Sequence, residues 1–228
     1  RRPPRSTLFP YATLFRSSSW NDFDPLKHAI VGRADFTCIP PTEPATEAKI
    51  PEDSDMRGMW GPRPLETVER ANYQLDTLAG LLESRGVRVD RPEPLQWNQA
   101  VMTPDFSTGS SFGCMPPRDV LLTVGKEILS APMSFRCRFW EYLAYHSLMQ
   151  KYFDEDPEFR WEQAPRPRLS DAAYKAGYFD EITIEERLER TAELNFVTTE
   201  HEPLFDAADV LRMRSEERRV GKECRSRW

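Results

Sequence analysis

The sequence has few of the residues that build metal centres or disulfide frameworks, and it has no long apolar run. Four cysteines and three histidines are spread through 228 residues, and no two cysteines have the close spacing of a metal-binding or redox pair. We therefore predict no metal site and no disulfide framework. No apolar run approaches the ~20 residues of a membrane-spanning helix, and no signal-peptide pattern follows the basic start. These absences predict a cytoplasmic protein without a membrane partner.

Charge is distributed unevenly along the chain. The formal net charge is −6; residues 1–16 carry +4 and residues 214–228 carry +3, which leaves −13 for residues 17–213. A body this acidic repels the phosphate backbone of nucleic acids and attracts cations. We therefore expect no nucleic-acid partner, whereas a cationic substrate would be attracted. The hydrophobic content of 39% is typical of a folded globular protein.

Both ends of the chain differ from its middle. Residues 1–17 have no readable hydrophobic period, and residues 214–228 abruptly interrupt the pattern that precedes them. Both segments resemble translated adapter or vector sequence, which carries neither fold nor function. The alternative is an ordinary pair of basic tails. We expect residues 18–213 to be the genuine protein.

Strand and helix patterns alternate through the middle of the chain. Apolar residues recur at helical spacing after Pro64, and short apolar runs are bounded by glycine and proline. In chain order, we predict a strand at 28–32, a loop at 36–63, a helix at 64–84, a strand at 87–89, a strand at 119–124 joined by a hairpin turn at 125–127 to a strand at 128–129, a helix at 135–153, a loop at 162–178, a helix at 183–194 and the start of a strand at 204–213. This order predicts a mixed α/β fold.

Two groups of charged residues could carry chemistry. Arg118 and Asp119 lie at the start of an apolar strand pattern, where a charge either points into a cleft or forms a local ion pair. Asp206 and Asp209 flank two alanines, which fits either a binding site or a helix cap or turn. Guanidinium is a planar cation whose N–H groups match carboxylates bidentately. Asp119 and one acid of the second group could therefore clasp a guanidinium, although spacing alone leaves both alternatives open.

Three segments resemble the amidinotransferase family, which includes glycine amidinotransferase and the inosamine-phosphate amidinotransferases. They are SSWNDFDPLKHAIVGRAD, TPDFSTGSSFGCMPPRDVLLTVGKEILSAPMSFRCRFWEYLAY and FVTTEHEPLFDAADVLR. The resemblance keeps their order and runs through nearly all of residues 18–213. The last segment is more similar to the glycine-type enzymes. The resemblance implies a five-bladed α/β propeller, the pentein fold, built from ββαβ units. This chain would form about the first two and a half blades, as an N-terminal fragment.

The resemblance also implies roles for individual residues. Asp119, in the matched Pro-Arg-Asp motif, would bind the substrate guanidinium, and Asp206 would be the catalytic acid that supports a histidine. Asp209 and Arg118 are further candidates for substrate binding. In the family, a cysteine thiolate attacks the guanidine carbon of L-arginine, and an amine acceptor such as glycine then takes the amidino group from the amidino-cysteine. The resemblance implies no cofactor and no metal, and a homodimer is the expectation by family analogy.

The family's catalytic histidine and cysteine have no matching residue in this sequence. The histidine would follow the FDAAD motif, and the cysteine would lie in a Phe-His-Cys context near the end of the family's chain. We therefore expect an inactive fragment of an amidinotransferase. One alternative is a fragment of an arginine deiminase-like guanidine hydrolase, and another is a non-catalytic arginine-binding module. The TPDFSTG and VTTEHEPLFDAADVLR runs favour transfer, and the open strand edges of an incomplete propeller disfavour a free-standing module.

Overall fold

The computed structural model describes residues 17–45, 58–178 and 183–212, which form an α/β structure. The predicted α/β class is therefore confirmed. The strands in these ranges are β1 (His28–Ile30), β2 (Cys38–Ile39), β3 (Gly61–Pro62), β4 (Arg88–Asp90), β5 (Val101–Met102), β6 (Ser107–Thr108), β7 (Leu121–Val124), β8 (Glu127–Ser130) and β9 (Arg160–Gln163). The α-helices are α1 (Leu65–Ser84), α2 (Pro117–Val120), α3 (His146–Glu155) and α4 (Ile184–Ala192).

The strands form small sheets, and two of these sheets are connected through helices. β1 pairs in parallel with β4, and the chain between them includes α1. β7 and β8 form an antiparallel hairpin, and β9 pairs in parallel with β8 after the chain has passed through α3. The segment from β7 to β9 is therefore a ββαβ unit. No sheet within the described ranges closes on itself.

The hairpin between β7 and β8 turns at Gly125. This glycine has φ +59°, in the left-handed region that glycine adopts without a steric penalty. A Cβ at this position would also lie 2.5 Å from the ring of Trp20. The turn is fastened to the start of the described chain, because the Gly125 N–H donates to the carbonyl of Ser19 at 2.6 Å. The predicted hairpin turn at 125–127 is thus confirmed.

The helices predicted at 64–84 and 183–194 are also confirmed as α1 and α4; α1 ends at Ser84 as predicted, whereas α4 ends earlier than predicted, at Ala192. α1 follows Pro64, and Gly86 beyond its C-terminus has φ +79° and donates to the carbonyl of Glu83. α4 begins after Thr183, which forms a reciprocal capping box with Glu186. Such caps satisfy backbone N–H groups that the first helical turn leaves without partners.

Several other predictions from the sequence are wrong in part. The strand predicted at 119–124 begins only at Leu121, because residues 117–120 form the helical turn α2, with Pro117 in its first position. The helix predicted at 135–153 is α-helical only from His146; before it the chain makes 3₁₀ turns at Arg136–Arg138 and Glu141–Tyr145.

The predictions for the end of the described chain and for two loops are also wrong in part. The strand predicted at 204–213 is an extended segment with a 3₁₀ turn at Ala207–Asp209, and residue 213 lies outside the described residues. The predicted loops at 36–63 and 162–178 contain β2, β3 and part of β9. The proposed foreign ends, apart from Ser17, lie outside the described residues.

Two apolar clusters hold these elements together. The larger cluster lies between the β7–β9 sheet and α3, and Tyr145, Met149 and Tyr152 are completely buried in it. The smaller cluster surrounds Phe139 and Leu169. Burying such aromatic and aliphatic side chains is the main favourable contribution to folding. Among the described helices, none is long and apolar enough to cross a membrane.

Candidate functional site

Asp119 and Asp206 meet at one buried guanidinium group, which belongs to Arg138. Nη1 of Arg138 donates to Oδ2 of Asp119 at 3.0 Å and to Oδ2 of Asp206 at 3.3 Å. On its other side, Nε of Arg138 donates to Oε2 of Glu141 at 2.9 Å, and Nη2 lies 2.9 Å from the same oxygen. Three carboxylates from three chain segments therefore surround one cation. We call these four residues the Arg138 cluster.

The fold brings the two aspartates together through the packing of two short turns. Asp119 lies in α2, and Asp206 immediately precedes the 3₁₀ turn Ala207–Asp209. α2 packs directly against this turn. Ala207 is completely buried in the larger apolar cluster. A small side chain at 207 is compatible with the close packing of this turn on α2.

Arg212 fixes the segment that carries Asp206. Its guanidinium donates to the Ser19 hydroxyl and to the Thr123 carbonyl, each at 2.6 Å, and its Nε donates to Oδ1 of Asp22 at 2.9 Å. These bonds tie residue 212 to β7 and to the start of the described chain. Arg212 therefore fastens the end of the segment that carries Asp206.

The accessibility of the Arg138 cluster increases from the core towards the surface. The side chain of Glu141 is completely buried and that of Arg138 is 9% exposed, whereas those of Asp206 and Asp119 are 19% and 27% exposed. The guanidinium carbon of Arg138 also lies 5.7 Å from the centre of the Phe112 ring, within the range of a cation–π contact. Arg138 thus lies beneath the two aspartates, and the aspartates face solvent.

Burial and charge act against each other on Arg138 and Glu141. Burial disfavours the guanidinium cation, but Glu141, Asp206 and Asp119 outweigh it and hold the pKa of Arg138 above its ordinary value. Burial raises the pKa of Glu141, and the adjacent Arg138 cation opposes that increase. Three carboxylates against one guanidinium leave an excess of negative charge when all are ionised. This arrangement favours a second cation at the solvent-facing side.

Arg118 and Asp209, the two further candidates, lie beside the cluster with their side chains exposed. Nη2 of Arg118 is 3.5 Å from the carbonyl oxygen of Val210, and Oδ2 of Asp209 accepts from the backbone N–H of Asp206 at 3.3 Å. Asp209 therefore stabilises the 3₁₀ turn, which is the turn-capping alternative that its sequence position allowed. Both residues contact the segment that carries Asp206.

Arg138 and Glu141 were not among the predicted site residues, although the sequence holds a signal for them. They are three residues apart in the strongly aromatic run from Phe135 to Tyr145. Charged side chains inside an apolar segment are costly to bury unless they are paired. The sequence therefore indicated a pair, but not that two distant aspartates complete it.

The described cysteines do not have the properties of a nucleophile. Cys38, Cys114 and Cys137 are free thiols with at most 2% of the residue exposed. Burial raises the pKa of all three, that of Cys114 to about 12 and that of Cys137 well above its ordinary value. The thiolate is the nucleophilic form of cysteine, so these thiols are protonated and shielded at neutral pH. Cys224 lies outside the described residues.

The described histidines lie in different surroundings. Nε2 of His28 is 2.8 Å from Oδ2 of Asp90, which also accepts from the Tyr152 hydroxyl. His146 packs edge-on against Trp161, with ring centres 5.1 Å apart, and His201 is exposed. Within the described part of the chain, no group of three or more histidine, cysteine or acidic residues could hold a metal ion.

The fold and the Arg138 cluster together define an α/β protein in which carboxylates from separate segments meet at a guanidinium. No protein-family profile matches the chain. Individual proteins do match. Glycine amidinotransferase, mitochondrial, of Danio rerio is 41% identical over 195 residues, which cover 84% of this chain and 45% of that protein. The L-arginine:L-lysine amidinotransferase of Pseudomonas savastanoi pv. phaseolicola is 37% identical over 198 residues, covering 86% of this chain and 52% of that enzyme.

Solved structures give the same result. The chain is similar to SxtG, an amidinotransferase of the saxitoxin biosynthetic pathway from Microseira wollei, with a TM-score of 0.71, 34% identity and coverage of 86% of this chain and 52% of that one. It is also similar to the inosamine-phosphate amidinotransferase StrB1 of Streptomyces griseus, with a TM-score of 0.70, 35% identity and coverage of 86% and 53%.

The chain is thus a homologue of the amidinotransferases, as the resemblance of its three segments indicated. It spans about half the length of the curated relatives that it matches. Homology over this length supports transferase chemistry at the level of the family. The name "mitochondrial" belongs to the relatives, and the cytoplasmic location of this chain stays a prediction.

Proposed function

We propose that this chain forms the guanidinium-binding part of an amidinotransferase that moves the amidino group of L-arginine to an amine acceptor. Asp119 and Asp206 would bind the substrate guanidinium from their solvent-facing sides, and Asp206 would also act as the catalytic acid. The observation that supports the proposal is the convergence of these two carboxylates, 87 positions apart in sequence, on one guanidinium nitrogen.

The chemistry would follow from holding a planar cation between two anions. Charge-assisted hydrogen bonds that the substrate guanidinium donates to the two carboxylates would fix the guanidine carbon in line for attack. A thiolate adds to that carbon, the bond from carbon to the ornithine nitrogen breaks, and ornithine leaves with an added proton. The amine acceptor then gives up a proton and attacks the amidino carbon of the amidino-cysteine, the carbon–sulfur bond breaks, and the thiolate is released.

None of the described cysteines is proposed as the thiolate nucleophile, and none of the described histidines is proposed to transfer the proton. The buried thiols have raised pKa values, and the described histidines occupy the separate surroundings given above. The acceptor is not assigned either, because the relatives' names differ in this respect: glycine in one and L-lysine in another.

We further propose that the fold is part of the five-bladed pentein propeller. The ββαβ unit from β7 to β9 supports one blade, and the pair of β1 and β4 with α1 between them supports part of another. The similarity to two amidinotransferase structures at TM-scores of 0.70 and above is consistent with this assignment.

The test is a calorimetric titration of the 228-residue chain with L-arginine and, as the matched neutral ligand, L-citrulline. We expect binding of arginine and no measurable binding of citrulline, because citrulline lacks the cation. Asp119→Asn and Asp206→Asn should each weaken arginine binding by about 10- to 100-fold, since a hydrogen bond to a charged group contributes ~1.5–3 kcal/mol.

Two control variants sharpen the result. Asp76→Asn changes an exposed acid on α1 and should leave arginine affinity unchanged. Asp209→Asn changes the acid nearest in sequence to Asp206 and should have a small effect. Equal binding of arginine and citrulline, or a larger loss in Asp209→Asn than in Asp206→Asn, would contradict the assignment.

A further inference from the structure

Arg138 is placed to control the geometry of the two aspartates rather than to contact a ligand. It is 9% exposed and lies beneath Asp119 and Asp206, whose side chains are two to three times as accessible. Its bonds use Oδ2 of each aspartate. A carboxylate has about four lone-pair positions, so the bond to Arg138 leaves acceptor capacity on Asp119, the more exposed of the two aspartates, for a ligand that approaches from solvent.

The shape of the guanidinium suits this position. Its Nε and Nη2 face Oε2 of the completely buried Glu141, and its Nη1 faces both aspartates. A guanidinium is planar and carries N–H donors on two edges. Glu141 can therefore hold one edge while a nitrogen on the other edge donates to the two aspartates. Lysine carries its donors on a single atom, so it cannot hold both sides in the same geometry.

The cluster also needs a cation for electrostatic reasons. Asp119 and Asp206 are both within hydrogen-bond distance of the same nitrogen, so their negative charges lie close together. Without a cation between them, two carboxylates repel each other and share a proton more readily. Their segments are joined by the packing of α2 on the turn Ala207–Asp209, but this backbone contact does not orient the carboxyl groups.

We propose that Arg138 is a positioning residue, which holds Asp119 and Asp206 at the separation and orientation that bind a substrate guanidinium, while Glu141 anchors it from the core. The expected effect of Arg138 on arginine binding rests on the proposed function. The immobilised state of the Arg138 guanidinium is independent of any ligand and can be tested by itself.

The ligand-free test is an NMR measurement of guanidinium rotation in the 228-residue chain with ¹⁵N-labelled arginine. A guanidinium held by three carboxylates should rotate slowly, so that Arg138 gives separate Nη signals. Asp119→Asn and Asp206→Asn should each accelerate this rotation. If Arg138 rotates in the wild-type protein as fast as an exposed arginine, the positioning proposal is overturned whether or not arginine binds.

The ligand-dependent test compares L-arginine affinity for the wild type, Arg138→Met and Arg138→Lys between pH 5 and pH 8. Arg138→Met should weaken binding by about tenfold or more at pH 8 and by a larger factor at pH 5, because Asp119, Asp206 and Glu141 would then lie together without a cation, and a proton shared within this group of carboxylates competes with the ligand. Arg138→Lys, which retains the charge, should fall between the wild type and Arg138→Met. A purely structural defect would lower affinity by a similar factor at each pH.

The matched control is Arg166→Met, which removes a half-buried arginine. The Arg166 guanidinium lies 3.9 Å from the Tyr142 ring centre and donates to the Phe139 carbonyl, so its loss should affect stability and leave arginine affinity and its pH profile unchanged. Circular dichroism verifies that each variant is folded.

The outcomes separate the two proposals. If the wild type does not bind arginine but Arg138 rotates slowly, the proposed function is wrong, whereas the immobilisation of the Arg138 guanidinium by the carboxylates is still supported. If arginine binds and the aspartate variants weaken it while Arg138→Met does not, the positioning proposal fails and the proposed function stands. Tighter binding by Arg138→Met would show that Arg138 competes with the ligand, and it would also overturn the positioning role.

Discussion

Replacing Glu43 by glutamine should remove a large part of the pH dependence of this protein's stability. Glu43 is 7% exposed, and its Oε2 accepts the backbone N–H of Arg136 at 2.9 Å. This bond fixes the start of the 3₁₀ turn Arg136–Arg138, which carries the central residue of the candidate site. Burial raises the pKa of Glu43 from 4.5 to about 7, and hydrogen bonds from Cys137 and Arg136 oppose the increase.

The sign of the effect follows from the direction of this pKa change. Because the pKa of Glu43 is higher in the folded state than in the unfolded state, the folded state binds the proton more tightly. The resulting stabilisation is complete below pH 4.5 and is lost as the pH rises through about 7. A difference of this size corresponds to about 3 kcal/mol in the free energy of unfolding. Glu43→Gln has no proton to lose, so it should keep its stability over that range.

The assay is urea denaturation followed by tryptophan fluorescence at pH 4.5 and pH 7.5 for the wild type and Glu43→Gln. Other groups titrate in the same range, so the informative quantity is the difference between wild type and variant at each pH. That difference should shift by about 3 kcal/mol in favour of the variant at the higher pH. Glu158→Gln, which removes an exposed carboxylate, should show no such shift. The same difference at both pH values would mean that folding does not change the pKa of Glu43, and the argument from burial would be refuted.

Two further variants test how the site is held in place. Arg212→Met removes the bonds that tie the Asp206 segment to Ser19 and Thr123; we expect arginine affinity to fall by about tenfold and the melting temperature to fall as well, measured by calorimetric titration and thermal denaturation. Gly32→Ala would place a Cβ 1.9 Å from the backbone oxygen of Met115; we expect a loss of about 3 kcal/mol or more in unfolding free energy, and a loss below 1 kcal/mol would contradict the close packing.

The parts of the fold that the sequence predicted well are those fixed by local signals. α1 has apolar residues at helical spacing with a proline before it and a glycine after it, and α4 has a threonine and a glutamate at capping-box spacing. The hairpin at Gly125 needs a positive φ that glycine supplies. In each case the residues that determine the element lie within a few positions of it.

The parts that the sequence did not predict depend on contacts between distant segments. β2 and β3 are two residues long, as are β5 and β6, so no alternation can develop within them. The run from Phe135 to Tyr145 has helical spacing, yet it forms 3₁₀ turns there. Glu43 bonds to the backbone of Arg136 from 93 positions away, a contact that helical periodicity cannot reveal.

The candidate site was predictable as a pair of acids and not as a cluster. The Pro-Arg-Asp and Phe-Asp-Ala-Ala-Asp motifs predicted Asp119 and Asp206, and the structure brings both to one guanidinium nitrogen. Spacing could not distinguish Asp206 from Asp209, whereas the structure shows that Asp206 is a half-buried partner of Arg138 and that Asp209 is an exposed cap of the turn. The roles of these residues in substrate binding remain predictions.

The presence of Arg138 resolves a physical difficulty in the two-carboxylate hypothesis. Two partly buried anions near each other are unfavourable without a cation. If only the ligand neutralised them, the two carboxylates would repel each other whenever the site was empty. Arg138 supplies the cation permanently, and the buried Glu141 holds it on the core side. Because three carboxylates exceed one guanidinium in charge, the same cluster that is stable without a ligand still attracts a second guanidinium at its accessible face. A permanent internal guanidinium therefore accounts both for the folded geometry of the empty site and for the proposed preference for arginine over a neutral analogue.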